Sequence, residues 1–173
     1  MTQALILVDI QNDYFDGGLW PVENMAHVAK NAAKVLAAAR ARGDLIIHVY
    51  HEAVGTHAPF FQPGTKGAEI HPSVAPRQEE LLVRKTRPNS FHNTALEAHL
   101  DAAGVTQITL VGATTQLCID ATARAARDLG YQVTLVANAL GAKSQSFGGT
   151  TLSAAQVQAA FLTPLRMSYV SVV

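Results

Sequence analysis

The chain has 173 residues, 49% apolar and only 15% charged, enough to bury one sizeable core and too apolar for a disordered chain. Thirteen basic residues balance thirteen acidic ones, and no basic run interleaved with aromatics offers a surface to nucleic acid. No apolar run approaches the roughly 20 residues that span a bilayer, and the first residues enter a strand pattern with no basic leader. The sequence therefore reads as one domain over residues 1–173, cytoplasmic, with no membrane or nucleic-acid partner.

Short β-rich runs alternate with longer helical segments, the pattern of a parallel sheet covered by helices. The first run, Ala4 to Val8, is apolar throughout, as a strand buried on both faces is. A helix from about Val22 to Arg42 follows, with Met25, Val28, Ala32, Val35, Leu36 and Ala39 on one stripe and Gly43 as its cap. Leu45 to Tyr50 is the second strand. Residues 53–79 hold most of the prolines with little periodicity and read as a cover over an active site.

Leu81 to Arg84 is the third strand, and Thr94-x-x-Glu97 predicts a capping box for a helix that ends before Gly104. Ile108 to Val111 is the fourth strand, followed by a helix from about Leu117 to Leu129 packed through Ala121, Thr122, Ala125, Ala126 and Leu129. Gln132 to Ala137 makes a fifth strand. A Gly- and Ser-rich loop then leads to Ser153-x-x-Gln156, a second capping box, with Pro164 stopping that helix and Tyr169 to Val172 as the sixth strand. The fold class is α/β: three layers, α/β/α, around a six-stranded, mostly parallel, Rossmann-like sheet.

On this frame Asp9 follows the first strand, Lys85 the third and Cys118 the fourth, so all three lie at strand C-terminal ends, where open parallel sheets bind ligands. A lone cysteine is ordinarily a small buried apolar residue, and one cysteine forms neither an internal disulfide nor a C-x-x-C site. Its company here suggests more. At a helix start and near an ammonium, a thiol pKa of about 8.5 is expected to fall to roughly 3.5–7.5. Asp9 is placed to take and return a proton, Lys85 to hold the carboxylate, and the backbone amides of Thr114 and Cys118 to bind an oxyanion.

The sequence resembles the isochorismatase-like cysteine hydrolases, the family of nicotinamidase and N-carbamoylsarcosine amidase. The resemblance rests on Leu7 to Asp13, on Lys85-Thr86-Arg87-Pro88-Asn89-Ser90-Phe91, and on Gly112 to Cys118 continuing through Thr122-Ala123-Arg124. It implies an Asp9, Lys85, Cys118 triad, a cis peptide between Ala113 and Thr114, and hydrolysis of a C–N bond in a small amide or carbamoyl substrate through a thioester-type acyl-enzyme. It also implies a homo-oligomer, dimer or tetramer. Nicotinamidases carry a metal on a D-x-H pair, but the matching positions here are Val49-Tyr50-His51. His51, His57 and His71 could in principle hold zinc, yet their spacing fits no compact ligand motif, so the chain is read without metal or other cofactor. Asn138 stands where many relatives have Asp.

Gln11, Phe15, Trp20, His51, Phe60, Phe61 and Phe91 are the expected walls of a small-molecule pocket. Three alternatives compete. Hydride transfer lacks a G-x-G-x-x-G turn after the first strand; phosphoryl transfer through Asp9 leaves Cys118 idle; a non-catalytic binding protein on the same fold uses none of the three groups.

Overall fold

A computed structural model describes residues 2–55 and 58–173. In chain order its elements are β1 (Thr2–Val8), α1 (Met25–Arg42), β2 (Leu45–His51), β3 (Leu81–Lys85), α2 (Leu96–Ala102), β4 (Val105–Ala113), α3 (Asp120–Asp128), β5 (Gln132–Gly141), β6 (Gln145–Phe147), β7 (Thr150–Leu152), α4 (Ala154–Ser168) and β8 (Ser171–Val172). Six strands form one sheet in the order β3-β2-β1-β4-β5-β8, every pairing parallel. Among the described residues no helix is long and apolar enough to cross a membrane.

Side chains of β1 alternate between two cores, as the two-residue strand period requires. Ala4, Ile6 and Val8 join Leu100, Ala123 and Leu165 from α2, α3 and α4, whereas Leu5 and Leu7 join Ala32 and Leu36 from α1. The sheet is thus the middle of three layers. Each fully buried leucine contributes roughly 1.5–3 kcal/mol, which is why the predicted stripe of α1 holds, with Val35 only partly buried at its margin. Gly43 closes α1 with φ 75°, its N–H bonded to the carbonyls of Ala39 and Arg40.

The chain runs from β1 outward to β2 and β3, then returns to the other side of β1 for β4 and β5. The C-terminal ends of β1 and β4 are therefore the point where the winding reverses, and a crevice opens there.

Several local expectations are corrected. Pro164 does not stop the last helix: α4 runs through it to Ser168, because Val157 and Leu165 are buried on either side and anchor both halves. The proline itself is exposed, so water can reach the carbonyl that loses its N–H partner. Tyr169 accordingly caps α4 instead of opening the sixth strand, which shrinks to Ser171–Val172.

Thr94 and Glu97 do not form a capping box: α2 begins at Leu96 after Ala95, and the Thr94 hydroxyl donates to the Ser90 carbonyl while accepting from the Leu96 N–H. Ser153 and Gln156 do form one. The segment read as a Gly- and Ser-rich loop contains the antiparallel hairpin β6–β7, turned by Gly148 and Gly149, both at positive φ. The buried face of α3 is Thr122, Ala123 and Ala126, with Leu129 exposed beyond the helix end.

Candidate active site

Val8 and Gly112 are partners across β1 and β4, and the two strands approach so closely that a Cβ on Gly112 would lie 2.0 Å from the Val8 carbonyl oxygen. Gly112 also has φ 125°, so glycine is required there twice over. This approach brings the segment after β4 against Asp9, which follows β1 with φ 52° and donates its N–H to the Val49 carbonyl at 2.9 Å. The Ala113–Thr114 peptide is cis.

Thr115–Ile119 form one wide π-helical turn ahead of α3, closed by the Ile119 N–H on the Thr114 carbonyl at 3.1 Å, and Cys118 sits in this turn. The turn is braced from β5 and beyond. Thr115 Oγ1 donates to the Gly141 carbonyl, and the Gln116 amide bonds both the carbonyl and the N–H of Lys143.

Asp9, Lys85 and Cys118, spread over the sequence, come together here. Lys85 Nζ lies 2.8 Å from Asp9 Oδ2, with both side chains sealed from solvent. It also reaches His51 Nδ1 and the carbonyls of Arg87 and Pro88, each at 3.3 Å. Donor atoms of Asp9, His51 and Cys118 all lie within 4.8 Å of one another. Read across the sheet, four neighbouring strands each send one group to the same row: Lys85 from β3, His51 from β2, Asp9 from the end of β1, and Cys118 from the turn after β4.

The charge states differ from expectation at Cys118. Burial pushes the Cys118 thiol up to about 12, and the Asp9 carboxylate pushes the same way against the opposing pull of Lys85. The expected fall of this pKa is therefore wrong for the free protein, because desolvation of a fully buried thiol outweighs one ammonium and a helix start. Burial thus favours the neutral form of the Cys118 thiol. Burial also works against the Lys85 charge, but Asp9 and Cys118 override it and hold its pKa above the ordinary value. His51 is pushed down by burial and by Lys85, with Asp9 opposing. The Tyr14 phenol is raised by burial and further by Cys118 and Asp9, which marks it as a neighbour of the thiol that no motif singles out.

Three buried braces hold the row. The Gln11 amide accepts from the His51 N–H at 2.8 Å and donates to the carbonyls of His51 and Ala68, so Gln11 is a clamp and not a pocket wall. Asp13 accepts from the Phe61 and Leu19 N–H groups and fills the space where Gly67 lacks a side chain. Thr122 Oγ1 bonds both the N–H and the hydroxyl of Ser90, latching α3 to the loop whose carbonyls receive Lys85.

Of the predicted aromatic wall, part assembles. Trp20 stacks on Phe60 at 4.9 Å, Phe60 meets Phe61 edge-on at 4.9 Å, and Phe61 lies 5.9 Å from the His51 ring. The line of rings leads from the surface to the Asp9–Lys85–Cys118 cluster, with Phe61 fully buried behind His51. Lys143 caps it, its ammonium 5.5 Å over the Trp20 ring. Phe15 and Phe91 do not belong to it. Phe15 stacks on His71 in the outer loop, and Phe91 stacks on Tyr131 at the start of β5, toward the other end of the sheet. A groove of about 480 Å³ lined by Arg87, Pro88, Asn89, His92 and Ala121 adjoins the Lys85 loop, whereas one of about 640 Å³ lies at the strand N-terminal ends, away from Cys118.

The residues do not fit the metal that nicotinamidase relatives would suggest. Val49 replaces the carboxylate with a side chain buried in the apolar core. His71 Nδ1 is occupied by the N–H and hydroxyl of Ser73, and His57 lies outside the described residues. The three donors that do converge, Asp9, His51 and Cys118, already surround a cation, the Lys85 ammonium. Asn138, exposed in the irregular stretch of β5, offers its carbonyl to the Asn31 amide, and nothing in the structure explains Asn in place of Asp.

The chain is thus a doubly wound α/β domain with a sealed carboxylate, ammonium and thiol at its switch point. The Isochorismatase domain model matches residues 3–166, and the chain belongs to the isochorismatase family of hydrolases. It is 40% identical to the isochorismatase family protein YddQ of Bacillus subtilis over 172 residues, covering 99% of this chain and 96% of that one. It is 39% identical to streptothricin hydrolase of Streptomyces noursei over 133 residues, 77% of this chain and 47% of that protein. A more distant relative is ureidoacrylate amidohydrolase of Acinetobacter baylyi, 29% identical over 154 residues, 70% of this chain and 63% of that protein. An isochorismatase hydrolase structure from Oleispira antarctica superposes with TM-score 0.96 at 44% identity, covering 99% and 92% of the two chains.

Proposed function

We propose that the protein is a cysteine hydrolase that cleaves the C–N bond of a small amide or carbamoyl compound through a thioester acyl-enzyme. The observation that carries this reading is the sealed Asp9–Lys85 pair at 2.8 Å with the only thiol of the chain within 4.8 Å of the carboxylate. Because burial favours the neutral thiol, Asp9 takes its proton as sulfur attacks the substrate carbonyl carbon. The carbonyl oxygen becomes an oxyanion facing the backbone N–H groups of Thr114 and Cys118. Collapse breaks the C–N bond, and protonated Asp9 gives its proton to the departing amine. Asp9 then deprotonates a water that attacks the thioester, and the returning proton restores the thiol. Lys85 keeps its charge throughout and balances whichever of Asp9 or Cys118 is anionic.

The relatives that carry hydrolase and amidohydrolase names support the class of bond. The test is a panel of small amides, ureido acids and carbamoyl compounds assayed for released ammonia, with the acyl-enzyme sought by mass spectrometry. Loss of at least a thousandfold in Cys118→Ala is expected; full turnover in Cys118→Ser overturns the reading.

A further inference from the structure

We infer that His51 is a positioning residue: its neutral Nδ1 is the acceptor that fixes the Lys85 ammonium in line between Asp9 and Cys118. The inference deepens the proposed mechanism and rests on it.

A buried ammonium has three N–H donors to satisfy and loses several kcal/mol if they are left unmet. Lys85 Nζ has Asp9 Oδ2 on one side, the paired carbonyls of Arg87 and Pro88 on another, and His51 Nδ1 on the third. Without His51 the ammonium keeps Asp9 and Cys118 but loses its acceptor on the β2 side, so one N–H is left unmet and its place in the row is no longer fixed. The contact follows from register. His51 and Lys85 are partners across β2 and β3, so their side chains leave the sheet on the same face. The His51 backbone is itself pinned at both its N–H and its carbonyl by Gln11, and the ring leans on Phe61, so the acceptor is held before any substrate arrives.

An ammonium only donates, so Nδ1 carries no proton and the ring is the Nε2–H tautomer. The groups that face the ring are Asp9 from the end of β1, Lys85 from β3 and Cys118 from the nucleophile turn, with uncharged Phe61 from the loop. The adjacent carboxylate of its own strand connection, Glu52, is engaged by Arg84. Protonating His51 removes the acceptor and sets a second cation against the first. Lys85 then leaves its place and the thiolate formed by transfer to Asp9 loses its counter-charge, so reactivity falls.

Iodoacetamide, itself a small primary amide, probes this without knowledge of the substrate, since the chain has one cysteine. The alkylation rate of Cys118 is measured from pH 5 to 8 in the wild type, His51→Leu and His51→Asn, alongside ring-nitrogen NMR of His51. The expected results are at least a tenfold loss at pH 7.5 in His51→Leu, recovery to within threefold in His51→Asn, and an acid fall in the wild type that is steeper than the one thiol ionisation gives the Asn variant, which has no ring to protonate. NMR is expected to show Nδ1 bare and Nε2 protonated. Unchanged rates in His51→Leu, an Asn variant no better than Leu, or a protonated Nδ1 overturns the inference. A rate that rises as His51 protonates also overturns it, since the ring would then serve the thiolate as an imidazolium partner. If His51→Leu does not fold, the Asn profile and the NMR decide. Failure of the proposed function reads differently, as ammonia release that survives loss of Cys118.

Discussion

Lys85→Met removes the ammonium from the sealed row and keeps most of the side-chain volume. Neither partner of the Asp9–Lys85 pair has any side-chain exposure, so the variant strands a carboxylate away from water. Breaking a buried pair from one side costs about 3–5 kcal/mol. Against a total of about 5–15 kcal/mol and a urea slope of about 2 kcal/mol per molar, the unfolding midpoint drops by about 2 M. Asp9→Asn strands the ammonium instead, but His51 Nδ1 and two carbonyls still accept from it, so its cost is smaller, about 2 kcal/mol. The double variant Asp9→Asn, Lys85→Met has no charge left to strand and is expected to be less destabilised than the sum by about 2 kcal/mol or more. Urea unfolding followed by far-UV circular dichroism measures all three. A Lys85→Met midpoint within about 0.5 M of wild type, or an additive cycle, refutes the argument that these charges are sealed and coupled.

Gly112→Ala is expected to lower stability by about 3 kcal/mol or more, since the new methyl group meets the Val8 carbonyl at a backbone angle only glycine favours; a thermal melt unchanged from wild type would contradict the close approach of β1 and β4. Glu80, deep between Arg40 and His48, is raised by burial, but hydrogen bonds from Arg40, the Arg77 N–H and His48 prevail and bring it down to about 2. Its folded pKa is below the unfolded one, so its stabilisation is present above about pH 4.5 and is lost as pH falls toward 2. Glu80→Gln should cost about 2 kcal/mol at neutral pH and flatten the acid end of the stability curve, read by urea unfolding at pH 7, 4 and 3.

The strands of the sheet were legible because buried parallel strands are apolar runs, and Asp9, Lys85 and Cys118 stood out because each follows such a run. Where a run ends says nothing about how much water the next residue keeps. The state of the Cys118 thiol depends on complete burial beside a carboxylate, a property of the assembled crevice, and so it was misjudged from its position at a helix start. Gln11 is expected at the pocket wall, but an amide with both faces sealed is committed to the backbone of His51 and Ala68. Pro164 predicts a helix stop from local chain stiffness alone, and the burial of Leu165 just beyond it carries α4 onward. The β6–β7 hairpin is legible in principle, since Gly148-Gly149 between two short polar β-prone runs is a turn signal in its own right.

The row of Lys85, His51, Asp9 and Cys118 is drawn from strands whose order in space, β3-β2-β1-β4, differs from their order along the chain. Each neighbour in the row is brought in by a separate crossover, so none of its contacts can form within a single local segment. The completed row is then a report on assembly. A fragment ending before β4 has the carboxylate, the imidazole and the amine but no thiol, and one beginning after β3 has the thiol alone. Burial of the Cys118 thiol during refolding would time the docking of β4 against β1, the step at which two halves of the sheet become one.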